Sequence, residues 1–275
     1  MSVIFASDLD RTLIYSQRAM GLPPDMAQHL PVELYNGEYI SFMSKKSLLL
    51  LQEVQQLAAF VPVTTRTVEQ YRRIFHISAN IKPKYAITSN GGNILMDGEP
   101  DPVWAKKIRQ LQDHYLNHDD LLRRFREIAS PDWVLREYLA DNLFYTVIID
   151  REKIPLELVR SFGREIASLG WSLSIQGRKL YLIPAEINKG SAMLYIKDML
   201  SSAFAAASGD SLLDESLLKA ADYALAPAHG ELYAAYAGSG AYNFTQESGI
   251  AASEEILRSV LEVFRKKEST REYMV

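Results

Sequence analysis

The sequence contains no cysteine. That absence excludes disulfide frameworks, thiolate metal sites and cysteine nucleophiles, and it fits a reducing compartment, so a cytoplasmic setting is expected. Basic residues are not in surplus either: 30 Lys and Arg against 34 Asp and Glu give a formal net charge of -4. Without spare cations to displace counterions from a polyanion, nucleic acid is not expected as a partner. No apolar run approaches the roughly 18 residues that a membrane span requires. The opening MSVIFASDLD also lacks the basic start and longer apolar stretch of a signal peptide, so no membrane attachment is expected. The five histidines show no metal-ligand spacing and are assigned nothing.

What remains is ordinary globular material, 48% hydrophobic and 23% charged over 275 residues. That is enough for one large α/β domain, or for a core plus a smaller module. Short apolar runs at Val3 to Ser7, Phe60 to Thr64, Tyr85 to Thr88, Ala203 to Ser208 and Tyr223 to Ala226 are each bounded by polar residues or glycine. Between the first three, Ser44 to Ala59 has helical spacing after a Ser cap, and Thr67 to Phe75 opens with a TxxQ capping box. Strands that are apolar at nearly every position and alternate with helices predict a doubly wound parallel sheet covered on both faces. The stretch from Gly98 to Pro184 reads differently. A charged helix is expected over Val103 to Ile128, then strands at Trp133 to Leu139 and Leu143 to Ile149. A helix near Leu156 to Leu169 and a hairpin turning at Gln176 and Gly177 complete it. The chain is therefore expected to form an α/β core from residues 1–97 and 185–275, with an inserted α+β module over 98–184.

In a parallel sheet, ligands bind beyond the carboxyl ends of the strands. The residues there are polar: Asp8, Asp10, Arg11 and Thr12 after the first run, Thr64, Thr65 and Arg66 after the second, and Ser89, Asn90, Gly91 and Gly92 after the third. Asp210 and Asp214 follow the fourth run, and Lys189 opens the helix before it. Four carboxylates gathered at one edge repel one another unless a cation neutralises them. Oxygen ligands without His or Cys suit a hard ion such as Mg²⁺, with Asp8, Asp10, Asp210 and Asp214 as candidate ligands. Mg²⁺ also accepts phosphate oxygens, so a small-molecule phosphate ester is the expected substrate. One of Asp8 and Asp10 could attack phosphorus while the other protonates the leaving oxygen, and spacing alone does not choose between them.

Taken together, DLDRT at Asp8 to Thr12, VTTRT around Thr64, Lys189 in INKGSA and GDSLLD at Gly209 to Asp214 resemble the four motifs of the haloacid dehalogenase superfamily of phosphatases. The resemblance is to its branch with an inserted α+β cap, related to the Cof, sucrose-phosphate and mannosyl-3-phosphoglycerate phosphatases. It implies Asp8 as nucleophile, Asp10 as general acid then base, and Thr64 and Lys189 as phosphate holders. It also implies Asp210 as a metal ligand with Asp8 and the Asp10 carbonyl, while Asp214 assists the metal or orients Lys189. Thr12, Thr65, Arg66, Asn90, Gly91 and the hairpin residue Arg178 are candidate substrate contacts. The inserted module would close over the sheet edge, exclude water and sort substrates. Arg11, where the family often has glycine, and Thr65, where glycine is common, are departures that bear on pocket shape. The expected activity is hydrolysis of a sugar phosphate by a monomer or weak homodimer. A phosphosugar mutase and a weakly catalytic sugar-phosphate sensor are the alternatives.

Overall fold

The computed structural model describes residues 2–272 apart from 22 and 24. The chain divides into two units, Met1–Pro100 with Lys189–Val275, and Asp101–Asn188. In the first unit, β1 (Val3–Asp8) is followed by a hairpin of β2 (His29–Tyr35) and β3 (Glu38–Ser44). Then come α1 (Lys45–Leu57), β4 (Ala59–Val63), α2 (Val68–Arg72), β5 (Tyr85–Thr88), β6 (Asn93–Met96) and β7 (Glu99–Pro100). The Ser44 hydroxyl caps α1 by accepting from the Ser47 N–H, and the Thr67 and Gln70 side chains form the expected capping box. α2 itself stops at Arg72, short of the Phe75 expected from the sequence.

The second unit holds α3 (Pro102–Leu111), α4 (His118–Ile128), β8 (Val134–Ala140), β9 (Phe144–Ile149), α5 (Leu156–Ala167), β10 (Trp171–Gln176) and β11 (Lys179–Pro184). The single helix expected over Val103 to Ile128 is two. The chain leaves helical geometry at Tyr115, and Asn117 starts α4 afresh by accepting from the Asp120 N–H. The four strands form an antiparallel sheet in the order β10-β11-β9-β8. They close on α4 and α5 around Leu121, Phe125, Phe162, Ile166 and Trp171.

The chain then returns to the first unit with α6 (Lys189–Met199), β12 (Phe204–Ser208), α7 (Glu215–Ala220), β13 (Tyr223–Ala226), α8 (Gly230–Tyr236), β14 (Asn243–Phe244) and α9 (Ile250–Glu272). Its sheet has the order β14-β13-β12-β1-β4-β5-β6-β7. The first six strands run parallel, and β6 and β7 extend the edge antiparallel. Because β7 pairs with β6, the core strands continue to Pro100, past the boundary at 97 read from the sequence. β1 is buried at almost every position, as a central strand covered on both faces must be. On one face, Phe5, Leu51, Val54, Phe60, Ile256, Val260 and Phe264 form a continuous core.

This topology positions the site. From β1 the chain runs outward through β4 and β5, and it returns on the other side of β1 as β12. The connections diverge at that switch point, leaving an opening at the carboxyl ends of β1 and β12.

Candidate active site

Asp8 is the last residue of β1, and its carboxylate is buried. The Lys189 ammonium, 1% exposed, donates to Asp8 Oδ1 at 2.7 Å and to Asp214 Oδ1 at 2.5 Å. Thr12 donates its hydroxyl to Asp8 Oδ2 at 3.1 Å. Lys189 is the first residue of α6, so the backbone of that helix fixes where the ammonium arrives. Asp214 is held in turn through Oδ2, which accepts from the Ser211 N–H at 2.9 Å and the Ser211 hydroxyl at 2.8 Å. Asp214 therefore contacts Lys189 and, through the same carboxylate, belongs to the acidic cluster.

Asp210 lies just beyond β12, and one carboxylate oxygen each from Asp8, Asp210 and Asp214 falls within 4.8 Å of the others. Burial pushes the Asp8 carboxyl up to about 7 against the opposing pull of Lys189, and Asp214 and Asp10 push in the same direction as burial. Asp210 is also pushed well up, first by burial and then by Asp8 and Asp214. Burial pulls the Lys189 ammonium down, yet Asp214 and Asp8 outweigh it and the net shift is upward. The cluster thus holds more carboxylate charge than Lys189 and the half-exposed Arg11, 3.4 Å from Asp210, can balance. An all-oxygen donor set that is short of positive charge fits a hard divalent cation.

Asp10 behaves differently from the other acids. Its carboxylate is gripped by Arg66, whose Nε donates at 2.7 Å and Nη2 at 2.8 Å. Its carboxylate is not part of the clustered triad, so of the four carboxylates expected as ligands three are gathered here. The reason is long-range: Arg66, just past β4, reaches the carboxylate first. Thr64 is buried at the end of β4, where its hydroxyl accepts from the Arg66 N–H at 3.1 Å. The third strand-end loop is tied to the same segment, with Ser89 N–H donating to Arg66 O at 2.7 Å and Asn90 N–H to Thr64 O at 3.0 Å. Ser89, Asn90 and Gly91 all have positive φ there, and Asn90 is buried. Thr65 is half-buried beside Thr64. Arg178 is exposed in the β10–β11 turn of the second unit.

Three contributors carry no role in the sequence expectation. Glu33, wholly enclosed on β2, pairs with Arg66 Nη1 at 2.8 Å. His229 donates from Nε2 to the Arg11 carbonyl at 2.8 Å while its Nδ1 accepts from the Gly249 N–H. It thereby clamps Arg11, whose φ of 63° is uncommon for a residue with a side chain. Gly230 follows with φ 86°, and a Cβ there would meet the Asp210 carbonyl at 2.5 Å and Asp210 Oδ2 at 2.7 Å. His229 and Gly230 lie just beyond β13, so the strand-end rule applied to Tyr223–Ala226 leads to both.

No family model and no curated protein matches the sequence. Solved structures do match the fold. The sucrose-phosphatase from Synechocystis sp. PCC6803, solved with sucrose and phosphate, aligns with a TM-score of 0.64 at 15% identity, over 94% of this chain and 97% of that one. A trehalose-6-phosphate phosphatase related protein aligns at 0.54 and 20% identity, over 97% and 100%. A phosphatase of the haloalkanoate (HAD) enzyme superfamily from Bacteroides thetaiotaomicron aligns at 0.55 and 14% identity, over 96% and 95%. The chain has the fold of these phosphatases along almost its entire length.

Proposed function

We propose that the protein is a Mg²⁺-dependent phosphomonoester hydrolase that acts on a small phosphorylated metabolite, most simply a sugar phosphate, through a phosphate ester on Asp8. The observation that carries this reading is the enclosed Lys189 ammonium shared between Asp8 and Asp214 beside Asp210, at the carboxyl edge of the parallel sheet. A buried carboxylate and a buried ammonium in contact at a switch point suit attack on a phosphoryl group whose oxygens need cationic partners. The names of two proteins of the same fold, a sucrose-phosphatase and a trehalose-6-phosphate phosphatase related protein, favour a sugar phosphate over other esters.

In the first half-reaction an Asp8 oxygen bonds to phosphorus as the bond to the leaving oxygen breaks, and Asp10 gives that oxygen its proton. In the second, water attacks the phosphoryl group and passes a proton to Asp10, and the bond to Asp8 breaks to release inorganic phosphate. Lys189 and the Thr64 hydroxyl hold phosphoryl oxygens as charge redistributes. Asp8, Asp210 and the Asp10 carbonyl would hold the cation, which supplies further charge neutralisation at those oxygens.

Phosphate release from a panel of sugar phosphates and an aryl phosphate, with Mg²⁺ and with chelator, tests the reading. Asp8→Asn is expected to lower turnover on the order of 10³-fold or more, and chelation is expected to abolish it. Tight binding of substrate without phosphate release would instead favour the sensor.

A further inference from the structure

We propose that Glu33 is a positioning residue for proton transfer: from inside the β2–β3 hairpin it anchors Arg66, and Arg66 holds the Asp10 carboxylate that serves the leaving oxygen. This rests on the phosphatase reading above and extends it to a residue outside the strand-end motifs.

The hairpin aims Glu33 deliberately. β2 pairs with β3 antiparallel, but the register shifts on both sides of the Glu33–Ser41 pair. Such an irregularity breaks the alternation of a strand and re-aims a side chain. Val32 and Glu33 are accordingly both buried although they are consecutive. Glu33 Oε2 accepts from the Ser41 hydroxyl at 2.7 Å and faces Arg66 Nη1 at 2.8 Å, and Oε1 accepts from Arg73 Nε at 3.3 Å. A wholly enclosed carboxylate is costly unless every oxygen is served, and an apolar side chain would fill the same space at no such cost. The charge at position 33 is therefore explained by what it holds. Arg66 uses one edge of its guanidinium for two hydrogen bonds to Asp10, while its remaining nitrogen stands 2.8 Å from Glu33 as an ion pair without hydrogen-bond geometry, so charge contacts from two elements bear on the one guanidinium.

The two ends of that bridge have different duties. Asp10 is the end that serves the leaving oxygen, and Glu33 stands on the other side of the same guanidinium. Glu33 is buried and held also by Ser41 and Arg73. It keeps Arg66 in place through both half-reactions, and Asp10 returns to the same position.

The test uses leaving groups of different need. p-Nitrophenyl phosphate releases a phenolate that departs without a proton, whereas an alkyl or sugar phosphate needs one, and kcat/KM reports that first phosphoryl transfer. Glu33→Gln is expected to lower kcat/KM for the alkyl ester by about tenfold more than for the aryl ester, a fraction of the effect of general acid catalysis. Arg265→Gln breaks the exposed ion pair with Glu53 between α9 and α1, so it serves as the control for general destabilisation and is expected to leave the ratio between substrates unchanged. Should Glu33→Gln fail to fold, Glu33→Asp, which keeps the charge on a shorter arm, gives the same comparison. An equal loss on both substrates in a folded Glu33 variant overturns the positioning role and leaves the phosphatase reading standing. Hydrolysis of neither ester by the unaltered protein overturns both.

Discussion

At the scale of single residues, the site depends on close approaches that only certain side chains permit. Gly230→Ala would drive a methyl group into Asp210 and force a residue with a Cβ into a φ of 86°. The strain costs about 1–3 kcal/mol. With Asp210 as a proposed metal ligand, its displacement is expected to raise the Mg²⁺ concentration needed for half-maximal activity by roughly tenfold or more, read from a metal titration alongside a thermal melt. Protons give a second prediction. Burial holds the Asp8 carboxyl up to about 7, whereas an aspartate in an unfolded chain ionises near 3.9. Between those values the folded, metal-free protein retains a proton that the unfolded chain has lost, so its stability falls as pH rises through that window. Mg²⁺ would compensate the buried negative charge once the carboxylate is ionised, so the gain in melting temperature on adding Mg²⁺ is expected to be larger at pH 8 than at pH 5. Equal gains at both would mean that no proton competes with the metal. Most of these residues are legible in the sequence, because Asp8, Thr64, Lys189, Asp210 and Asp214 each sit next to a strong local signal. The direction of the Asp10 carboxylate is not, since it depends on an arginine 56 positions away along the chain.

At the scale of elements, local chemistry and long-range packing are joined at the caps. Ser44 accepts from the Ser47 N–H at the start of α1 and donates to Glu254 of α9 at 2.8 Å, while Ser47 shares a hydrogen bond with Ser253 at 2.7 Å. Ser44→Ala is expected to cost about 1–2 kcal/mol, measured as a shift in denaturant midpoint. The strands of the parallel sheet are readable because full burial makes them apolar throughout. The β2–β3 hairpin escapes that criterion: it is half exposed, its alternation is broken at Glu33, and it lies outside the main sheet. Its one clear sign is Asn36-Gly37, both with positive φ, a pair that favours the tight turn of a hairpin. The break between α3 and α4 is equally hard to see, because the charged spacing continues through it and only Asn117 marks a new start.

At the scale of the whole molecule, the second unit is one continuous segment with its own core of Leu121, Phe125, Trp133, Phe162 and Trp171. Residues 101–188 expressed alone are therefore expected to fold, giving a cooperative melt and dispersed amide resonances. A chain that stays unfolded would show that the segment depends on the first unit. Composition and spacing reveal the division, since the parallel pattern stops and an antiparallel one begins. The exact crossing points depend on the pairing of β6 with β7, which two residues of strand do not announce. The order of the units along the chain also sets how the protein bears force. Both described ends, at β1 and α9, belong to the first unit, and the second is spliced into its middle. A pull applied to those ends enters the first unit through β1, paired to β4 and β12, and through the packing of α9. The inserted unit feels no load until that unit gives way, so under tension the site is lost first and the inserted unit unravels last.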